Sequence, residues 1–244
     1  MDGIANLTSS QIGSFGIWYL VFLLALTLHE AGHALVAWLG GDETAYLGGQ
    51  VTLNPLPHIR REPFGTVVIP AITFLFSGWM MGWASAPFDP EWARRYPKRA
   101  ALMAAAGPAA NLLLATMAFL LLKALLANGS FVAPARISFE HVVEAAPGAA
   151  EGSLLHPLAL ALSVALNLNV LLFLFNLIPL PPLDGAGVLR GLLPDSAGRF
   201  YAIFTGNPMM SIMGLIIAWR AFSYVFGPAF SIMIALLHPA VSYG

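Results

Sequence analysis

Four long apolar stretches, at 15–39, 100–122, 157–178 and 208–226, constrain this chain more than anything else in it. At about 1.5 Å per residue each can cross a hydrocarbon layer roughly 30 Å thick. In lipid the backbone must satisfy its own hydrogen bonds, so stretches of this length read as helices. Composition agrees. Of 244 residues, 58% are hydrophobic and 9% charged, against about 25% charged in an ordinary soluble domain. So few charges cannot coat a soluble globule of this size. A formal net charge of −1 without a basic stripe argues against nucleic acid as a partner. The apolar content excludes disorder. The absence of cysteine excludes disulfides, thiolate catalysis, iron–sulfur clusters and thiolate zinc sites. The first fourteen residues carry no Lys or Arg and do not read as a signal peptide.

Between these stretches the punctuation is informative. Residues 63–88 are uncharged, but Pro70, Gly78, Gly82 and Pro87 make them a poor straight helix. They read as a re-entrant or hairpin element, which protein must shield from lipid. The alternation around 46–54 suggests a short β-strand piece. Such an edge could hold an extended segment of a partner chain. The expected fold is therefore an all-α polytopic membrane protein. It has a core of about three to four transmembrane helices, a hairpin and a short strand, in one domain over 1–244. The core is expected at 15–193, with further membrane segments at 194–244.

The first apolar stretch contains His29-Glu30-Ala31-Gly32-His33. Histidines at i and i+4 share a helix face, so both imidazoles can meet one metal ion. The intervening Glu30 points to the edge of that face and can reach water at the metal as a general base. A helix whose polar groups merely bond to neighbouring helices is the competing reading. Three ionisable groups within five residues of a span make it costly. A catalytic zinc site keeps three protein ligands, so one more is needed. Asp184 stands out, since it closes an uncharged run from 152 to 183, although it could instead cap a helix over 185–193. His58 is a rival ligand in a loop, and His141, His156 and His238 read as surface or interfacial residues.

Three pieces now match a family in order. They are His29-Glu-Ala-Gly-His33, Gly107-Pro-Ala-Ala-Asn111, and Asn176-x-x-Pro179 leading to Leu183-Asp184-Gly185. Over roughly 15–193 the chain resembles the site-2 protease family of intramembrane zinc metallopeptidases, in its minimal form without PDZ or CBS domains. The loop at 123–156 is too short for a PDZ fold. The resemblance implies one zinc ion per chain, held by His29, His33 and Asp184, with Glu30 as general base. It implies that Asn176 orients substrate or stabilises the developing oxyanion. It makes a transmembrane protein the substrate partner, as in regulated intramembrane proteolysis, with the lipid bilayer as surroundings. Gly107-Pro108 and Asn111 read as structural. The alternative is a non-enzymatic metal-binding membrane protein or a transporter, though a transporter should string its ionisable groups along several helices. Oligomeric state is left open.

The metal site also constrains topology. His29 and His33 lie near the end of one stretch and Asp184 just past the end of another. To share an ion, those two helices must run in the same direction. One crossing, 100–122, must then lie between them, and 64–88 must return to its own side. Arg60, Arg61, Arg94, Arg95, Lys98, Arg99, Arg190 and Arg199 then share a side, against Lys123 and Arg136 on the other. The positive-inside rule puts the metal site toward the cytoplasmic face and the N-terminus outside, and the resemblance implies a prokaryotic plasma membrane.

Overall fold

The computed structural model describes residues 9–150, 152–241 and 243. Residues 1–8 of the polar lead lie outside that range, while 9–14 already belong to the first helix. Four helices are long and apolar enough to cross a membrane. They are α1 (Ser9–Leu39), α6 (Pro97–Ala127), α7 (Leu155–Asn176) and α10 (Pro208–Leu237). Shorter helices lie between them: α2 (Thr44–Leu47), α3 (Pro55–Arg61), α4 (Ile69–Ser77), α5 (Pro90–Arg95), α8 (Asp184–Leu192) and α9 (Asp195–Thr205). The protein is an integral membrane protein of the all-α polytopic class.

Helix α6 is the centre of the bundle, packed on α1, α7 and α8. It runs antiparallel to α1: Asn111 reaches Ala25 and His29, and Met103, two turns earlier on α6, reaches His33. Helix α7 returns parallel to α1, so Trp18, Phe22 and Leu26 of α1 share a buried cluster with Val164 and Leu168 of α7. Close approach depends on small residues. Gly187 and Gly191 of α8 face Ala104 and Ala101 of α6, with no room for a side chain.

The segment 62–89 forms the expected hairpin. Pro70 has no N–H to continue an i→i−4 ladder, and the turn Phe64–Val68 before it widens to a π-helix, with the Ile69 N–H reaching the Phe64 carbonyl. α4 then ends at Gly78, whose φ of +77° suits a residue without Cβ. The chain comes back extended, and the Trp83 N–H donates to the Gly65 carbonyl at 3.1 Å. Gly65 and Gly82 permit this contact, because a Cβ on either would run into the backbone of the opposite leg. Ser85 latches the return leg, donating to Glu62 at 2.7 Å and accepting from Gln50 on its carbonyl.

The strand content lies elsewhere than expected. Residues 46–54 form the end of α2, turns and bends. A two-strand antiparallel sheet joins Phe131–Val132 to Glu144–Ala145 instead. The alternation near Val51 is overridden by Gly48 and Gly49, which turn the chain before a strand can extend. The loop carrying the sheet is bonded to α1, α7 and the end of α10 through Trp18–Glu140, Asn167–Phe139 and His238–Val142. His238 is therefore buried rather than surface, donating to the Val142 carbonyl at 2.6 Å. His141 and His156 are exposed.

Candidate metal centre

One helical turn separates His29 from His33 on α1, and their rings meet edge-on with centroids 4.7 Å apart. Their Nε2 atoms lie 3.0 Å from each other. Asp184, the first residue of α8, sends Oδ2 to within 3.1 Å of His29 Nε2 and Oδ1 to within 3.4 Å of His33 Nε2. Leu183, not Asp184, is the N-cap of α8. The tight turn before it requires Gly185, since a Cβ there would meet the Leu177 and Ile178 carbonyls.

The outer ring nitrogens decide what this arrangement can hold. His29 Nδ1 lies 2.6 Å from Asn111 Oδ1, and His33 Nδ1 lies 2.7 Å from the Met103 carbonyl. The Asn111 amide is oriented by its own donations, to Asn169 Oδ1 at 2.9 Å and to the Ala25 carbonyl at 3.3 Å. Asn169 is oriented in turn by donating to Ala165. Both Nδ1 atoms therefore donate, which leaves a lone pair on each Nε2. Two lone pairs and a carboxylate then point at one spot, where a cation satisfies all three.

Spacing supports zinc. Bonds of about 2.0–2.1 Å in a tetrahedron put ligand atoms roughly 3.3 Å apart, close to what these three residues show. Gly107 on α6 lies directly against the imidazoles, and a Cβ there would collide with both Nε2 atoms. Glu30 is buried on α1 between the two histidines in sequence. Among the described residues it has no hydrogen-bond partner.

The structure thus brings His29, His33 and Asp184 together, with Glu30 alongside. It does not bring in His58, whose Nε2 lies 3.3 Å from the Thr52 carbonyl. Asn176 is half-buried at the end of α7 and donates to the Leu172 carbonyl of its own helix, with no bond to the His–Asp group. Asn111 bonds to His29 rather than only packing helices, and Asn169 joins it through a second amide bond. The signal for both was present, since an amide inside an uncharged span needs a partner as a charge does.

The model of Peptidase family M50 matches residues 17–219. A Bacillus subtilis protein named "Putative zinc metalloprotease YwhC" is 37% identical over 72% of this chain and 69% of its own length. A Mycolicibacterium smegmatis protein named "Putative zinc metalloprotease Rip2" is 31% identical over 79% of this chain and 63% of its own. A Mycobacterium tuberculosis protein of the same name is 27% identical over 92% and 76%. No solved structure matches. With a family match spanning most of its length, the chain is a member of Peptidase family M50, the site-2 protease family.

Proposed function

We propose that the protein is a zinc-dependent intramembrane endopeptidase, cutting peptide bonds in or next to transmembrane segments of other membrane proteins. The observation that carries this is the convergence of His29 Nε2, His33 Nε2 and the Asp184 carboxylate near the ends of two parallel spans, with an unbonded carboxylate, Glu30, beside them. His29, His33 and Asp184 hold one zinc ion per chain. A zinc ion there supplies Lewis acidity, acidifying water and polarising the scissile carbonyl. Glu30 takes the proton of the attacking water on its carboxylate and later returns it to the leaving amine. Asn111 and the Met103 carbonyl keep both histidines in the tautomer that leaves Nε2 free. Asn176, at the end of α7, orients the substrate backbone once its amide leaves Leu172.

The basic residues flanking the spans favour a metal site toward the cytoplasmic face, with the N-terminus outside, and the bacterial relatives favour a prokaryotic plasma membrane. The test pairs zinc content with cleavage of a model transmembrane substrate in wild type and Glu30→Gln. The expected result is full zinc occupancy with cleavage lost. Cleavage retained by E30Q overturns the mechanism.

A further inference from the structure

The last membrane helix carries a charge that the fold leaves without a partner. Around Arg220 the buried residues of α10 are Gly214, Ala218 and Phe222, which mark the face packed on the rest of the protein there. Arg220 projects about 160° round the helix from both Ala218 and Phe222, so it points away from the bundle. It is exposed and, among the described residues, has neither an ion pair nor a hydrogen bond.

Its depth follows from α6. At about 1.5 Å per residue, Arg99 and Lys123 mark two levels about 36 Å apart on that helix. Lys123 donates to the Leu236 carbonyl of α10, which puts those two positions at one level. Arg220 lies about 24 Å along α10 from Leu236, which leaves it about 12 Å from the level of Arg99 and about 9 Å inside a layer roughly 30 Å thick. Its neighbour Trp219 stacks on Trp79 of the hairpin and meets Phe175 edge-on, both apolar surroundings. A guanidinium at that depth is costly unless it meets an opposite charge.

The four spans of this chain hold a single carboxylate, that of Glu30, which is buried at the metal centre. A second copy therefore has none to offer at this depth. Ser223, Gly227 and Ser231 lie within about 60° of Arg220 on the same face, spaced as small residues are where two membrane helices approach closely. Gly227 has open space where a side chain would be.

We infer that the outward face of α10 around Arg220 docks a transmembrane helix of another membrane protein, one that carries an Asp or Glu at matching depth. The inference rests on the membrane topology and not on peptidase activity.

The test uses the full chain in phosphatidylcholine vesicles, with energy transfer to a labelled synthetic transmembrane peptide. The peptide is a Leu/Ala helix with Asp, Asn or Leu at its centre. The Asp peptide should associate about tenfold more tightly than the Leu peptide, with Asn between them. Arg220→Gln should remove that preference and Arg220→Lys should keep part of it. Gly227→Leu tests the same face without touching the arginine and should weaken Asp-peptide association severalfold. If Arg220 instead reaches a lipid phosphate, the Asp and Leu peptides associate equally. That result, or an Asp preference unchanged in both R220Q and G227L, overturns the proposal.

Discussion

His29 Nδ1 and Asn111 Oδ1 lie 2.6 Å apart between two antiparallel membrane helices, both residues buried. The bond fixes which nitrogen of His29 is free, and Asn169 fixes which end of Asn111 can accept it. The tautomer of His29 on α1 is thus set by an amide relay running through α6 to α7.

Breaking that relay should weaken metal binding before it weakens the fold. Asn111→Ala is expected to lower zinc affinity by roughly 10–100-fold, the usual cost of losing a residue that supports a ligand histidine. Asn169→Ala should cost less, since Asn111 keeps its bond to the Ala25 carbonyl. Chelator competition on purified protein measures both, with helical content by circular dichroism alongside. An N111A variant that melts earlier yet binds zinc as tightly would show that Asn111 only packs helices.

Gly107 offers an independent probe of the same centre. A methyl group there enters the space of both Nε2 atoms, and α6 cannot move away without losing its bond to His33 through Met103. Gly107→Ala should therefore abolish stoichiometric zinc binding while the protein still inserts and folds, read by elemental analysis of the purified variant. Normal zinc content in G107A would mean that the metal does not sit where the two Nε2 atoms converge.

The chemistry was legible in the sequence to the extent that it is local. His29, Glu30 and His33 share one helix, so their spacing defines their geometry. Asp184 could be found because a carboxylate after a long neutral run is conspicuous. Asn111 and Asn169 belong to different helices, and no spacing rule connects 111 to 169 or either to 29. Their roles emerge only once α6 and α7 are packed. The hairpin was readable from its prolines and glycines. The strand was placed wrongly, because an alternating pattern at 46–54 says nothing of the neighbour a strand needs, and Phe131 and Ala145 supply one to each other.

The return of 62–89 to its own side makes a topological prediction. Because the chain has no cysteine, single-cysteine variants report without background. Cysteines replacing Glu91 and Arg199 should be labelled by an impermeant thiol reagent from one side of oriented vesicles, and a cysteine replacing Arg136 from the other. If 64–88 crossed fully, Glu91 would change sides relative to Arg60. Labelling of residues 60 and 91 from opposite faces would therefore contradict the hairpin.

Just past the end of α1, Asp42 governs how the metal-bearing helix meets the return leg. One carboxylate oxygen accepts from the Thr44 N–H and hydroxyl, at 2.9 and 2.6 Å, and the other accepts from the Asp89 N–H at 2.8 Å. Burial pushes this carboxyl up, but the three donors outweigh burial and lower it. A folded-state pKa below the unfolded value of about 3.9 means that the ionised group stabilises the fold. That contribution is complete above the unfolded value and is lost as pH falls through the lower folded one. Asp42→Asn turns an acceptor into a donor facing the Asp89 N–H, and should cost about 1–2 kcal/mol near neutral pH. In metal-free protein the difference in melting temperature between wild type and D42N should be largest at pH 7 and should shrink below about pH 4, where the unfolded wild-type chain takes up a proton that the folded carboxylate still resists. A difference that stays constant across that range would assign the loss to shape rather than to the charge of Asp42.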